Sequence, residues 1–391
     1  MSGSTVVDEA PPGGVGSSAN GSEEPPDSGE RSSAMKMVVG LVGMVVVSWA
    51  LWNLFLAFGY YPDKFGSRVV IGILAVISGV LGAAVFFYFL NMMVEGLPPR
   101  LSRGLMPYAF VLPAFALLSI MLLYPTIQTI NYSFANSDST EYVGLQNYRD
   151  IFADADFWAS IVNNLLWLLV VPAFTVAFGL VVAVMADRLS ATGEKVAKSA
   201  IFMPMAISLV AATAVWGLVY AYNDPSADQI GLLNALWTAV GGEPQTWLQI
   251  ETAKLNNLLL MVILIWLQTG FAMILLSSAI KSVPEDTLEA ARIDGANEWQ
   301  IFWRVVVPQV KGTMITVFIT VTILVLKIFD IVYVSTNGNF DTNVIANLFF
   351  NELFAADEAG RASAIVVVLL VAVTPVLFYQ VHHFREEEKS R

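Results

Sequence analysis

The sequence predicts an all-α membrane protein of about eight transmembrane helices. Three observations carry this. Apolar residues make up 56% of the 391-residue chain and charged residues only 13%, far from the balance of a soluble domain. The apolar residues fall into long runs of roughly 20 residues, enough to cross about 30 Å of hydrocarbon. Irregular backbone is costly in lipid, so each run must be helical.

The elements follow in chain order. Residues 1–34 hold Asp8, Glu9, Glu23, Glu24, Asp27 and Glu30 against Arg31 alone, are rich in Gly, Ser and Pro, and lack a periodic apolar pattern. That composition predicts a disordered acidic tail. It supplies much of the net charge of −12, which therefore says little about partners, and no nucleic-acid partner is expected. No basic region precedes the polar stretch of this tail, and the first apolar run is long enough to span, so a signal peptide is not expected. The expected spans are 36–58, 69–93, 106–132, 160–186, 199–222, 256–280, 312–335 and 363–382. The first two, within 35–104, form an accessory pair in which Gly40, Gly43, Gly79, Gly82, Ala83 and Ala84 suit close packing. The other six, within 105–385, form the core, and 386–391 a short tail. Pro113, Pro125, Pro172, Pro204 and Pro375 are expected to kink their helices.

A polar segment, Lys281 to Lys311, interrupts the apolar C-terminal part and must lie at a membrane surface. Ser282 with Glu285 has capping-box spacing, Asn297 with Gln300 is a weaker version, and Gly295 stands between them where a chain turns. Two short helices joined by a turn are predicted, a shape suited to docking a soluble partner. About eight spans place both termini on one side. With that side cytoplasmic, the inside holds most basic residues, among them Arg100, Arg103, Arg188, Lys195, Lys198, Lys281, Arg292, Arg304 and Lys311. The outside holds only Lys64, Arg68, Arg149, Lys254 and Arg361, as the positive-inside rule requires.

Chemistry is sparse. Cysteine is absent, which excludes disulfides and thiolate metal sites. His382 and His383 end the last span, where interfacial solvation accounts for them, so no metal or cofactor is expected. No paired carboxylate or His constellation suggests an enzyme. No Gly-x-x-x-x-Gly-Lys-[Ser/Thr] phosphate loop occurs, so the chain has no P-loop ATP site.

Within the polar segment, Glu289, Ala290, Ala291, Gly295 and Pro308 stand at the spacing Glu-Ala-Ala, three residues, Gly, twelve residues, Pro, with Val305 and Val307 before the proline. This resembles the signature loop of binding-protein-dependent ABC importer permeases. The resemblance extends over roughly 105–385, through Leu112-Pro113-Ala114, Val143–Tyr148, Ile201–Ser208, Ile230–Asn234 and Gly360–Ala364. Together these are similar to the larger permease subunit of maltose-type sugar importers. Trp266–Met273 and Gly338–Ala346 are similar to α-glucoside permeases. One departure is Thr336–Phe340, where many sugar permeases carry Gly-Gly-Pro.

The resemblance implies a type I importer core of six helices in a prokaryotic inner membrane, with both termini cytoplasmic. It implies a second permease, two ATP-binding subunits and an extracytoplasmic sugar-binding protein as partners, with Glu289, Ala290, Ala291, Gly295 and Pro308 coupling the chain to an ATPase. An ion-coupled secondary transporter is the alternative. That class usually shows several intramembrane carboxylates and repeated halves, whereas Asp330 is the one clear example here and no repeat is obvious. Lys327 and Asp330 at i, i+3 read either as a structural ion pair on one helix face or as the lining of a sugar path. Tyr333, Trp216, Tyr220 and Gln268 are further candidates, since aromatic faces and amides suit sugars.

Overall fold

A computed structural model describes residues 34–390, with side chains other than those at 99, 100, 103, 376, 377 and 379–390. The tail expected over 1–34 lies outside these residues, except for its last position. The chain divides into two compact units, one ending at Tyr124 and the other starting at Pro125.

In the first unit, α1 (Ala34–Tyr60) and α2 (Arg68–Glu95) pack side by side, and α3 (Pro99–Leu118) packs on α2. Lipid tails are as apolar as leucine, so close backbone approach rather than exclusion from water holds such helices together. Gly40 shows why: a Cβ there would fall 2.5 Å from the backbone nitrogen of Met93. Gly79 has no such neighbour and needs no such explanation.

The second unit begins with α4 (Tyr124–Tyr132), reached from α3 through a π-turn at Ser119–Leu123, so helix runs without a gap from Gly104 to Tyr132. A short α5 (Gln146–Ala153) leads into α6 (Ala155–Asp187). The remaining elements are α7 (Ala191–Phe202), α8 (Leu209–Val219), α9 (Leu232–Ala239), α10 (Leu255–Lys281), α11 (Glu285–Ile293), α12 (Glu298–Ile301), α13 (Val307–Leu326), α14 (Asp330–Ser335), α15 (Ile345–Phe354) and α16 (Ala359–Ser390). The core lies where α6, α10 and α13 meet, around Trp167, Leu260, Met261, Leu264, Met273, Val317, Val321 and Val325.

Among the described residues, six helices are long and apolar enough to cross a membrane, and a bent pair makes a seventh. The last expected span lies in α16, whose apolar part is the shorter Ala359–Pro375. No β-strand is named among the described residues; one isolated bridge joins Ala135 and Tyr142.

Three expectations are corrected. The fifth span, 199–222, is not one helix. A 3-10 turn at Met203–Ala206 follows α7, and α8 leaves at 105°. Pro204 has no N–H to continue the α-helical ladder. Ser208 then starts α8 afresh, its hydroxyl accepting from the Ala211 amide at 3.2 Å.

The seventh span also breaks. α13 stops at Lys327 (φ −112°, ψ 25°), and α14 starts after Phe329 (φ −143°, ψ −58°). The i, i+3 geometry expected for Lys327 and Asp330 is therefore lost. Among the described residues the two form no ion pair with each other.

In the polar segment only the first short helix, α11, stands alone. The second, α12, is the opening turn of a helix that runs through a π-turn at Phe302–Val306 into α13. Both π-turns end two residues before a proline, Pro125 and Pro308. A proline cannot donate to the carbonyl four residues back, so the ladder widens there.

Candidate functional site

The two helix breaks meet at a cavity of about 440 Å³, within the roughly 300–1,000 Å³ range of small-molecule sites. Met205 and Ile207 line it from the first break, Lys327, Ile328 and Asp330 from the second, and Gln268 from α10. Gln268 is 8% exposed, and its Oε1 is buried without a hydrogen-bond partner. A buried amide oxygen without a donor is destabilising by about 1–3 kcal/mol and marks a place where a ligand hydroxyl would be welcome. An ammonium, a carboxylate and an amide in an otherwise apolar wall can donate to and accept from a neutral polyhydroxyl molecule.

Three of the candidate pathway residues thus come together: Gln268, Lys327 and Asp330. The aromatic candidates do not join them. Tyr220 is buried, and its hydroxyl donates to the Leu259 carbonyl at 2.9 Å, a packing role. Trp216 packs edge-on against Trp266 with ring centroids 5.9 Å apart, and both line a separate hollow of about 730 Å³ that is almost wholly apolar. Tyr333 stacks on Phe329 at 5.0 Å, just past the second break.

The polar segment is built on its own small core of Ile301, Val306 and Val310. Leu288 and Ala291, one turn apart on α11, pack inward against it. Glu289 and Ala290 face outward, and Ile293 is 86% exposed. Of the signature residues, then, Ala291 is a foot of the loop, while Glu289 and Ala290 lie on its open face. Ile293, which the motif does not include, shares that face.

Gly295 ends α11 at φ +83° with a full Schellman closure: its N–H donates to Arg292 O, and Ala296 N–H donates to Ala291 O, both at 3.0 Å. The Asn297–Gln300 capping box forms, with both bonds at 2.9 Å. The Ser282–Glu285 box does not. Ser282 closes α10 instead, donating to Ala279 O at 2.7 Å, and Pro284 stands at the N-cap of α11. Pro308 is exposed just inside α13, behind the π-turn.

At the base of this segment lies an ionic cluster that sequence reading missed. Lys198 of α7 reaches Asp187 at the end of α6 (2.8 Å), Glu194 (2.5 Å) and the Ser277 hydroxyl of α10. Lys281, the last residue of α10, pairs with Glu194.

At the opposite ends of α6 and α10 a second polar network grips the loop that replaces Gly-Gly-Pro. Asn163 donates to the carbonyls of Asp341 (3.0 Å) and Asn343 (2.8 Å), and Asn164 accepts from the Ile345 amide (2.8 Å). Asn256 donates to Phe340 O (2.5 Å) and Asn257 to Asp341 O (3.0 Å), while Lys254 pairs with the Asp341 carboxylate. Phe340 and Asp341 sit in this grip at positive φ of 58° and 55°, and Asn337, whose side-chain oxygen accepts from Asn351 at 3.2 Å, precedes them at 50°; Asn and Asp visit this region readily, a bulky Phe rarely. Two Asn-Asn-Leu-Leu stretches, 163–166 and 256–259, were the available signal. Nearby, Arg361 pairs with Asp154 and stands 3.4 Å from Glu352, whose carboxyl is pushed up by burial against the pull of that guanidinium. Asn147 of the Val143–Tyr148 motif donates to Ser133 O (3.0 Å) and Ala135 O (2.7 Å).

A helical membrane bundle whose broken helices meet at a polar cavity, with a small polar helix projecting from one end, defines a membrane transport subunit. The chain belongs to the family of binding-protein-dependent transport system inner membrane components, which matches residues 168–386. It is 42% identical over 334 residues to an alpha-glucoside transport system permease protein of Rhizobium meliloti, covering 82% of this chain and 98% of that protein. It is 47% identical over 282 residues to an osmoprotective compounds uptake permease protein of Synechocystis, covering 72% and 100%. A trehalose/maltose transport system permease protein of Thermococcus litoralis matches at 28% over 289 residues, covering 72% and 94%. The fold is that of a chain in the crystal structure of a bacterial ABC transporter involved in the import of the acidic polysaccharide alginate, with TM-score 0.58, 20% identity, and coverage of 73% of this chain and 97% of that one. Nothing in these likenesses favours an ion-coupled secondary transporter.

Proposed function

We propose that this chain is the permease subunit of an ATP-driven importer whose cargo is a sugar, an α-glucoside or maltose-type oligosaccharide. The observation that carries this is the likeness to the Rhizobium permease over 82% of this chain, joined to a cavity of suitable size and mixed polarity. In this reading Gln268 and Asp330 bond cargo hydroxyls, Lys327 balances the carboxylate, and Tyr333 flanks the path. Trp216 and Tyr220 act through packing. The polar segment faces the cytoplasm together with both termini, in a prokaryotic inner membrane, an orientation that the basic-residue asymmetry supports. Glu289, Ala290 and Gly295 form the coupling face toward an ATP-binding subunit, while Ala291 and Pro308 set its shape.

The assembled importer holds a second permease, two ATP-binding subunits that hydrolyse the ATP, and an extracytoplasmic binding protein. The 47% identity to the Synechocystis protein supports a second cargo class, an osmoprotective compound. The test is uptake into proteoliposomes holding the full complex and its binding protein, with radiolabelled maltose and trehalose as probes. Uptake is expected only with internal ATP, and Asp330→Asn with Gln268→Leu is expected to lower it about tenfold or more. Uptake driven by an ion gradient without ATP would overturn the proposal.

A further inference from the structure

We propose that Lys198 is a positioning residue for coupling: through Asp187, Ser277 and Glu194, the last paired with Lys281, it centres the cluster that clamps α7 to the ends of α6 and α10, so that movement at the base of the polar segment reaches the cavity. The inference rests on the importer reading above. It starts from charge. Lys198 and Lys281 face Asp187 and Glu194, two ammoniums against two carboxylates. Ser277 joins them, donating to Asp187 at 2.7 Å. The side chains of Asp187, Glu194 and Lys198 are only 16%, 18% and 19% exposed. An exposed surface pair contributes little, but removing one partner from a shielded cluster leaves an uncompensated charge, and the cluster must rearrange.

A second anchor is independent of charge. Gly270 of α10 admits the end of α7, since a Cβ there would fall 2.7 Å from Phe202 Cα. Gly270, Ser277 and Lys281 stand at i, i+7 and i+11, on one face of α10. So α7, 12 residues and about 18 Å long, lies along that stripe, held at one end by salt bridges and at the other by close backbone contact. Beyond Phe202 it runs directly into the turn whose Met205 lines the cavity. Gln268 belongs to the same strut through α10. The other end of α10 is Lys281, where the polar segment begins. Without the clamp, α10 and the segment can move while the turn after α7, with Met205, stays behind.

The test is ATP hydrolysis by the complete reconstituted complex, measured with and without its binding protein. In the wild type, hydrolysis is expected to depend strictly on the binding protein. Lys198→Met is expected to raise hydrolysis without binding protein about fivefold or more, as a lost coupling of ordinary size would. Lys198→Arg keeps the charge and the donors, and is expected to restore dependence. A merely structural role would lower assembled complex and total hydrolysis together and leave the ratio unchanged. If Lys198→Met does not assemble, Lys281→Met, half-exposed, carries the same expectation at smaller size. A ratio equal to wild type in an assembled variant overturns the clamp but not the importer reading. No ATP hydrolysis by the wild-type complex overturns the importer reading itself.

Discussion

Gly295 shows how one residue sets the shape of the polar segment. Its φ of +83° costs an L-residue about 1–2 kcal/mol, yet a Cβ there would meet nothing within 4 Å. Gly295→Ala is therefore expected to lower activity only mildly. Gly295→Pro forces φ near −65° and removes the bond to Arg292 O, and is expected to abolish binding-protein-stimulated ATP hydrolysis while the protein still inserts in the membrane. Immunoblotting of membranes beside the hydrolysis assay separates the two; normal hydrolysis by inserted Gly295→Pro would contradict the role given to this turn. The glycine was legible because its spacing and its chemistry point the same way. The direction of Ala291 was not, since a motif states which residues are present and not which face of α11 they occupy. Only packing against Ile301 and Val306 turns it inward.

At the scale of elements, the apolar runs were legible and their breaks were not. Hydropathy stays high across Phe202–Ser208, so composition suggests one span where Pro204 and the Ser208 cap make two helices. The same holds at Lys327–Phe329, where two charges in a span signalled something unusual but not a broken helix. The capping boxes reversed for a local reason. Ser282 was already engaged by the end of α10, whereas Asn297 had no competing partner. Asn297→Ala is expected to cost about 1 kcal/mol of local stability. Hydrogen exchange should show this as faster exchange confined to the first turn of α12, with α11 unchanged; no change at the Gln300 amide would contradict the cap.

For the whole molecule, α6 and α10 run side by side from the Asn-Asn network at one end to the ionic cluster at the other, and the cavity lies against the middle of α10. Sequence periodicity cannot reveal this, because the gripped loop at 336–343 lies far along the chain from the Asn pairs that hold it. The charge asymmetry supports a direction, and the central proposal depends on it: that the polar segment faces the cytoplasm and meets an ATP-binding subunit with the outer face of α11. The absence of cysteine makes a direct test clean. Single cysteines at Ala290, Ile293 and Leu288 would be treated in intact cells with a membrane-impermeant maleimide, and in inverted vesicles with a short maleimide–benzophenone linker, whose photoreactive end needs no thiol on the neighbouring subunit. The account predicts no labelling from outside, cross-links to the ATP-binding subunit from Ala290→Cys and Ile293→Cys, and none from the inward-facing Leu288→Cys. Labelling of Ala290→Cys from outside the cell, or cross-linking from Leu288→Cys alone, would contradict it.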